Sequence, residues 1–207
     1  MDLKTSLAKY LLICALGFGL GGFLWGLVLY TELPDLEYPF HFMAILIMGL
    51  LGGISLVWSK GLKEYSKSVL AGFLGFGVGF ISAAVFSYPL SIIGGLILVP
   101  IIPSFFIDNG LLRLEPNIYI SAYWLLFLFV GAIIGLFYAL FLKTKIWSLI
   151  WRGGIGFALG SLISPIIGNV LGNLFNSLLI SYLVTFSLIG ISLGLFLSWG
   201  VYKHQKV

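Results

Sequence analysis

Uninterrupted apolar stretches of about twenty residues recur along this chain, and they restrict its architecture more than any motif does. Six are long enough to cross a bilayer as helices, at residues 9–30, 41–59, 68–88, 121–142, 153–173 and 182–202. A hydrocarbon layer of about 30 Å takes about 20 residues of helix. Strands of a membrane barrel would be about half that length and would alternate apolar with polar residues, which these runs do not. In lipid each segment has to satisfy its own backbone polar groups, so the expected fold is an all-α polytopic membrane protein. Composition agrees, with 60% hydrophobic and 9% charged residues and a mean hydropathy of +1.14. Residues 1–207 read as one transmembrane domain, in the cytoplasmic or another energy-transducing membrane.

The charges orient the spans. With six crossings, Lys4, Lys9, Lys60, Lys63, Lys67, Lys143, Lys145, Arg152, Lys203 and Lys206 fall on one side. The other side holds Arg113 with Glu32, Asp35, Glu37, Asp108 and Glu115. Basic loops stay on the cytoplasmic side, which places both termini there. The net charge of +4 follows this boundary pattern and forms no single stripe, so nucleic acid is not an expected partner. Lys4 and Lys9 could open a secretory signal. The run from Tyr10 to Tyr30 is too long for a signal core and has no convincing cleavage site, which favours a retained first span.

Residues 89–107, PLSIIGGLILVPIIPSFFI, resist this count. A crossing there would invert the downstream topology and put Lys143, Lys145 and Arg152 outside. Pro89, Pro100 and Pro103 also interrupt the run. The reading adopted is a re-entrant, interfacial or broken helix within an outer-side insertion over 89–118, with a seventh crossing as the alternative.

Three two-helix units of parallel topology are expected, over 1–65, 66–145 and 146–207. Gly17-Phe18-Gly19-Leu20-Gly21 in the first outgoing span is matched by Gly75-Phe76-Gly77-Val78-Gly79 and by Gly156-Phe157-Ala158-Leu159-Gly160. The returning spans carry Gly49 and Gly53, Gly131 and Gly135, and Gly190 and Gly194, each followed by an apolar stretch and a lysine. The intervals from Gly17 to Gly49, Gly75 to Gly131 and Gly156 to Gly190 are 32, 56 and 34 residues, so the middle unit carries the insertion. Duplication would place the hairpins around a pseudo-threefold axis; the competing explanation is a chance product of Gly-, Leu- and Phe-rich composition.

Glycines four apart share a helix face and let a second helix approach closely. The expected packing positions are Gly17, Gly21, Gly49, Gly53, Gly75, Gly79, Gly131, Gly135, Gly156, Gly160, Gly190 and Gly194. Gly22 and Gly26 form a second pair in the first span. Gly17, Gly19 and Gly22 also satisfy G-x-G-x-x-G, but a dinucleotide loop needs a preceding strand and a soluble sheet, which are not expected here.

Few residues offer chemistry. No Asp, Glu, Lys or Arg falls near the centre of a span, whereas ion-coupled carriers commonly place such groups there. His41 and His204 fall on opposite sides, and Cys14 is the single cysteine, so no catalytic set or metal site is expected. Ser161, Ser164, Asn169 and Asn173, beside Pro165, form the main polar constellation. They fit interhelical hydrogen bonding, with a site for a polar solute as the sharper alternative. Trp58, Trp147, Trp151, Trp199 and Tyr202 mark the basic boundary, and Tyr30, Tyr38, Tyr119 and Tyr123 the opposite one. The linker KTKIWSLIWR, 143–152, fits a short amphipathic segment on an anionic leaflet or a contact for a cytoplasmic partner.

The function expected is a non-enzymatic accessory, assembly or scaffold subunit associating through glycine-rich helix faces. The alternative is a small permease or channel for a neutral or weakly polar solute, with its pathway between the hairpins. Membrane lipids and other membrane subunits are the expected partners. No cofactor is expected, with bound lipid or pigment left open.

Overall fold

A computed structural model describes residues 3–31, 37–58, 62–98 and 123–204. Among these residues six helices follow in order: α1 Leu3–Thr31, α2 Glu37–Leu56, α3 Leu62–Leu98, α4 Trp124–Leu142, α5 Ile146–Leu174 and α6 Leu178–His204. Five are long and apolar enough to cross a membrane. The sixth, α2, has 20 residues, about 30 Å at 1.5 Å per residue, with His41–Leu56 as its apolar part.

The 89–107 segment is described only over its first ten residues. Residues 89–98 continue α3 without a break, with Pro89 inside the helix. Proline removes one backbone donor while keeping a helical φ, and here the flanking apolar turns carry the helix past it. Residues 99–107, and with them the rest of the 89–118 insertion, lie outside the described residues. At 37 residues, α3 is about 55 Å long, well beyond a 30 Å hydrocarbon layer. The 143–152 linker is likewise mostly helix. Residues 143–145 form the turn, and Ile146 already opens α5.

Each tight turn has a local cause. Lys143 adopts a left-handed conformation (φ 51°) that ends α4, and the Thr144 N–H donates to the Ala139 carbonyl at 3.0 Å. Between α5 and α6, Asn176 takes φ 49°, a conformation Asn tolerates better than most residues. Ser177 then caps α6, its Oγ accepting from the Ile180 N–H at 3.3 Å. The last carbonyl of α2 and one in the turn after it are met by tyrosines. Tyr10 OH donates to Leu56 O at 2.7 Å, and Tyr65 OH donates to Trp58 O.

Each helix packs against its neighbours in sequence, and α6 returns to pack on α1, closing an antiparallel ring. The ring centre is aromatic. Phe18, Phe76 and Phe157 come from alternate helices, α1, α3 and α5, and all are fully buried. The Phe76 ring lies 6.3 Å from Phe18 and 6.4 Å from Phe157. Rings on alternate members of a six-helix ring can meet only near its axis. Tyr138 of α4 joins them, 6.2 Å from Phe18, and donates to the Gly49 carbonyl of α2 at 3.2 Å. Above this layer Trp25 contacts Phe186 at 4.6 Å and Phe80 at 5.5 Å. Such ring contacts add about 0.5–1.5 kcal/mol each beyond their buried area.

Candidate functional site

Nearly every described glycine of the expected packing set sits where a methyl group would strike another helix. Within the first hairpin, a Cβ on Gly17 would lie 2.5 Å from Ser55 Cβ, and one on Gly21 would fall onto Met48 Cα. Between α3 and α4 the contacts are looser, Gly75 at 3.2 Å from Phe137 Cβ and Gly79 at 3.1 Å from Val130 Cγ1. Between α5 and α6, Gly156 meets Phe196 Cβ at 2.7 Å and Gly160 meets Ile189 Cα at 3.0 Å. Ser55, Phe137 and Phe196 stand six residues after Gly49, Gly131 and Gly190 respectively; Met48, Val130 and Ile189 stand one residue before them.

In the α2–α3 and α4–α5 contacts glycine meets backbone carbonyls. A Cβ on Gly49 would lie 2.6 Å from the Gly72 carbonyl oxygen, and one on Gly53 2.5 Å from that of Ser68. Gly131 faces Gly153, and Gly135 faces Leu149, in the same way. The closing seam, α6 on α1, is offset. By equivalent spacing Gly190 and Gly194 would face Cys14 and Tyr10; instead they face Phe18 and Cys14, one helical turn further along α1. A turn is about 5.4 Å. The second glycine pair accounts for this: Gly22 faces the Phe186 carbonyl, and Gly26 would carry its Cβ 2.7 Å from that of Tyr182. The equivalent positions elsewhere are Phe80 and Ala84 on α3, and Ser161 and Pro165 on α5, which are bulkier.

The polar constellation divides. Ser161, Ser164 and Asn169 are buried, while Asn173 is half-buried. Ser161 Oγ donates back to the Ala158 carbonyl at 2.8 Å, within its own helix. Asn169 faces α6, and its Oδ1 accepts from Ser181 Oγ at 2.9 Å. Its Nδ2 is buried without a partner, as is Thr185 Oγ1. Gly168 and Gly172 bring α6 close here; a Cβ on Gly172 would lie 2.7 Å from Ser181 Cβ. Ser181 and Thr185, fully buried, are the members that sequence reading missed. Their i, i+4 spacing inside an apolar span was the available signal.

The ends of the bundle are chemically distinct. Tyr10 stacks near Tyr202 at 5.7 Å, Lys9 lies over Trp58 at 5.3 Å, and Arg152 lies over Trp199 at 4.9 Å. The start of α1, the end of α2, the start of α5 and the end of α6 therefore share one end, and the basic residues with them. Trp147, Trp151 and Trp199 are exposed there. At the other end Tyr30 contacts Tyr182 at 6.4 Å, and Tyr123 is exposed. Tyr119 lies outside the described residues. His41 and His204 stand on helix ends at opposite ends of the bundle, and Cys14 is buried with its Sγ donating to Ser55 O at 3.3 Å. Among the described residues no three His, Cys, Asp or Glu side chains converge as metal ligands. An apolar groove of about 390 Å³ opens between α1 and α6, lined by Phe23, Ile180, Leu183, Val184, Ser187 and Leu188.

No protein-family model matches the chain, and no curated protein or solved structure is significantly similar to it. The fold and the apolar outer surface define a polytopic, all-helical membrane protein.

Proposed function

We propose that this protein is a non-enzymatic accessory or scaffold subunit embedded in the membrane. The observation that carries this reading is the filled ring centre, where Phe18, Phe76, Phe157 and Tyr138 occupy the axis that a solute would follow. Most of the glycine faces meet helices of this chain, so the proposed partner surface lies elsewhere. The distal part of α3 supports that placement, since Ile81, Val85 and Tyr88 are 61%, 70% and 77% exposed. Purification in a mild detergent tests the proposal. A stoichiometric membrane complex is expected. A lone chain that carries a neutral solute across proteoliposome membranes would sink it.

The permease reading has one specific observation in its favour, the buried polar contact of α5 with α6 through Asn169, Ser181 and Thr185. Under that reading, Asn169→Ala abolishes solute transport and leaves thermal stability intact. Loss of stability alone leaves the group as an interhelical hydrogen-bond set.

Two further readings belong to the same proposal. The hairpins are three copies of one unit, supported by the shared register of Gly17, Gly75 and Gly156 and by the convergence of Phe18, Phe76 and Phe157. The basic end faces the cytoplasm, supported by the positive-inside bias. Cysteine accessibility labelling at Lys63 and Lys203 tests the orientation; labelling only from outside would reverse it.

A further inference from the structure

The end of the bundle where α5 begins and α6 finishes carries positive charge that the described residues do not neutralise. Arg152 lies two turns into α5, its guanidinium over the Trp199 ring at 4.9 Å. It packs against α6 at Gly200, where a Cβ would lie 3.1 Å from both Arg152 Cδ and Nη1. Nη1 is buried with no hydrogen-bond partner. The acid–base pair found among the described residues, Lys67 with Glu64 at 2.8 Å, belongs to α3.

Two exposed lysines, Lys145 and Lys203, belong to the same end. Ser148 and Arg152 are four apart on one stripe of α5, and Lys145 is the N-cap residue just before that helix. On α6, Trp199 and Lys203 are four apart and share a face. Because the helices run antiparallel and Arg152 meets Trp199, Lys203 stands one turn nearer the end, level with Ser148 and Lys145. Trp147, Trp151 and Trp199, exposed at this end of the bundle, are residues that settle at the depth of lipid headgroups.

A guanidinium partly withdrawn from water is unfavourable until an anion meets it. Its planar fork fits two oxygens of one phosphate, which an ammonium does not. We propose that the α5–α6 contact at Arg152 binds the phosphate of an anionic phospholipid. The free edge of the Arg152 fork meets the phosphate oxygens, and Lys145 and Lys203 add attraction for the net negative headgroup. A zwitterionic lipid brings its own ammonium, which these lysines repel, so the site discriminates by headgroup charge. The inference stands apart from the choice between scaffold and permease, since it rests on the α5–α6 end alone.

Native mass spectrometry of the full chain in a neutral detergent, titrated with phosphatidylglycerol or phosphatidylcholine, tests it. Phosphatidylglycerol should bind on the order of tenfold more tightly. Arg152→Gln should bring the two lipids close to parity, and Arg152→Lys, which keeps the charge and loses the fork, should restore only part of the preference. Far-ultraviolet circular dichroism reads folding of each variant. Should Arg152→Gln fail to fold, the Lys145→Gln/Lys203→Gln double variant, at exposed positions, must lower the preference severalfold. An unchanged preference in folded Arg152→Gln, or in the double lysine variant, overturns the proposal. Displacement of bound phosphatidylglycerol by millimolar inorganic phosphate also overturns it, because the site would then belong to the free anion.

Discussion

Gly21→Ala and Gly77→Ala add the same methyl group in the middle of a helix, yet they should have opposite effects on stability. A Cβ on Gly21 lands on the Met48 backbone, with Met48 Cβ at 2.7 Å and Cγ at 2.9 Å. A Cβ on Gly77 meets Leu46 Cδ2 at 3.7 Å, an ordinary contact. Alanine is favoured over glycine in a helix interior by about 1 kcal/mol, and at Gly77 that gain stands almost alone. At Gly21 the α1 and α2 backbones have to separate by about 1 Å to restore normal contact distances. Overpacking costs about 1–3 kcal/mol, and a clash with backbone belongs at the upper end because no rotamer change relieves it. Gly21→Ala should therefore destabilise by about 1–2 kcal/mol net, and Gly77→Ala should stabilise by up to about 1 kcal/mol. Reversible unfolding in mixed micelles, with sodium dodecyl sulfate as denaturant and helicity as the probe, reads the difference. Equal midpoints for the two variants would refute the close-approach argument.

Other substitutions probe separate parts of the bundle. Phe157→Ala removes a ring touching Phe76, Phe80 and Phe127 and should cost about 3–5 kcal/mol in the same unfolding assay. Ser177→Ala removes the cap of α6 and should cost about 1 kcal/mol; a neutral result would mean that the Ile180 N–H finds another acceptor. Lys143→Gly relieves the left-handed backbone at the α4–α5 turn and should raise stability by about 1 kcal/mol, seen as a later unfolding midpoint. Gly22→Leu should open the offset α6–α1 seam. Disulfide trapping of cysteines introduced at exposed Phe23 and half-buried Ser187 should then slow relative to the parent, and an unchanged rate would refute tight closure there.

Much of the fold was legible because its causes are local. Apolar length and the lack of alternation specify helices in lipid, and five of the six expected spans correspond to long apolar helices. The misreadings came from segment ends. Pro89 looked like a break, yet the turns on either side carry α3 onward to Leu98. The span expected from residue 153 begins earlier, because seven positions of the 143–152 linker belong to α5, which starts at Ile146. Asn169 was visible as a polar residue inside a span. Its partner Ser181 was not, because nothing in one helix states which turn of the next will face it.

By itself the sequence determined the helical class, the basic end and the recurrence of glycine with phenylalanine, because hydropathy, charge and spacing act along the chain. Only the tertiary structure decided which glycines are indispensable to packing. Gly21 and Gly77 lie in matching glycine-phenylalanine stretches, and one abuts backbone while the other faces a yielding side-chain tip. It also decided that Phe18, Phe76 and Phe157 share one axis, that the α6–α1 seam closes a turn out of register, and that Arg152 rests on Trp199. Each is a relation between surfaces far apart in the chain, and steric contact arises only when the ring closes.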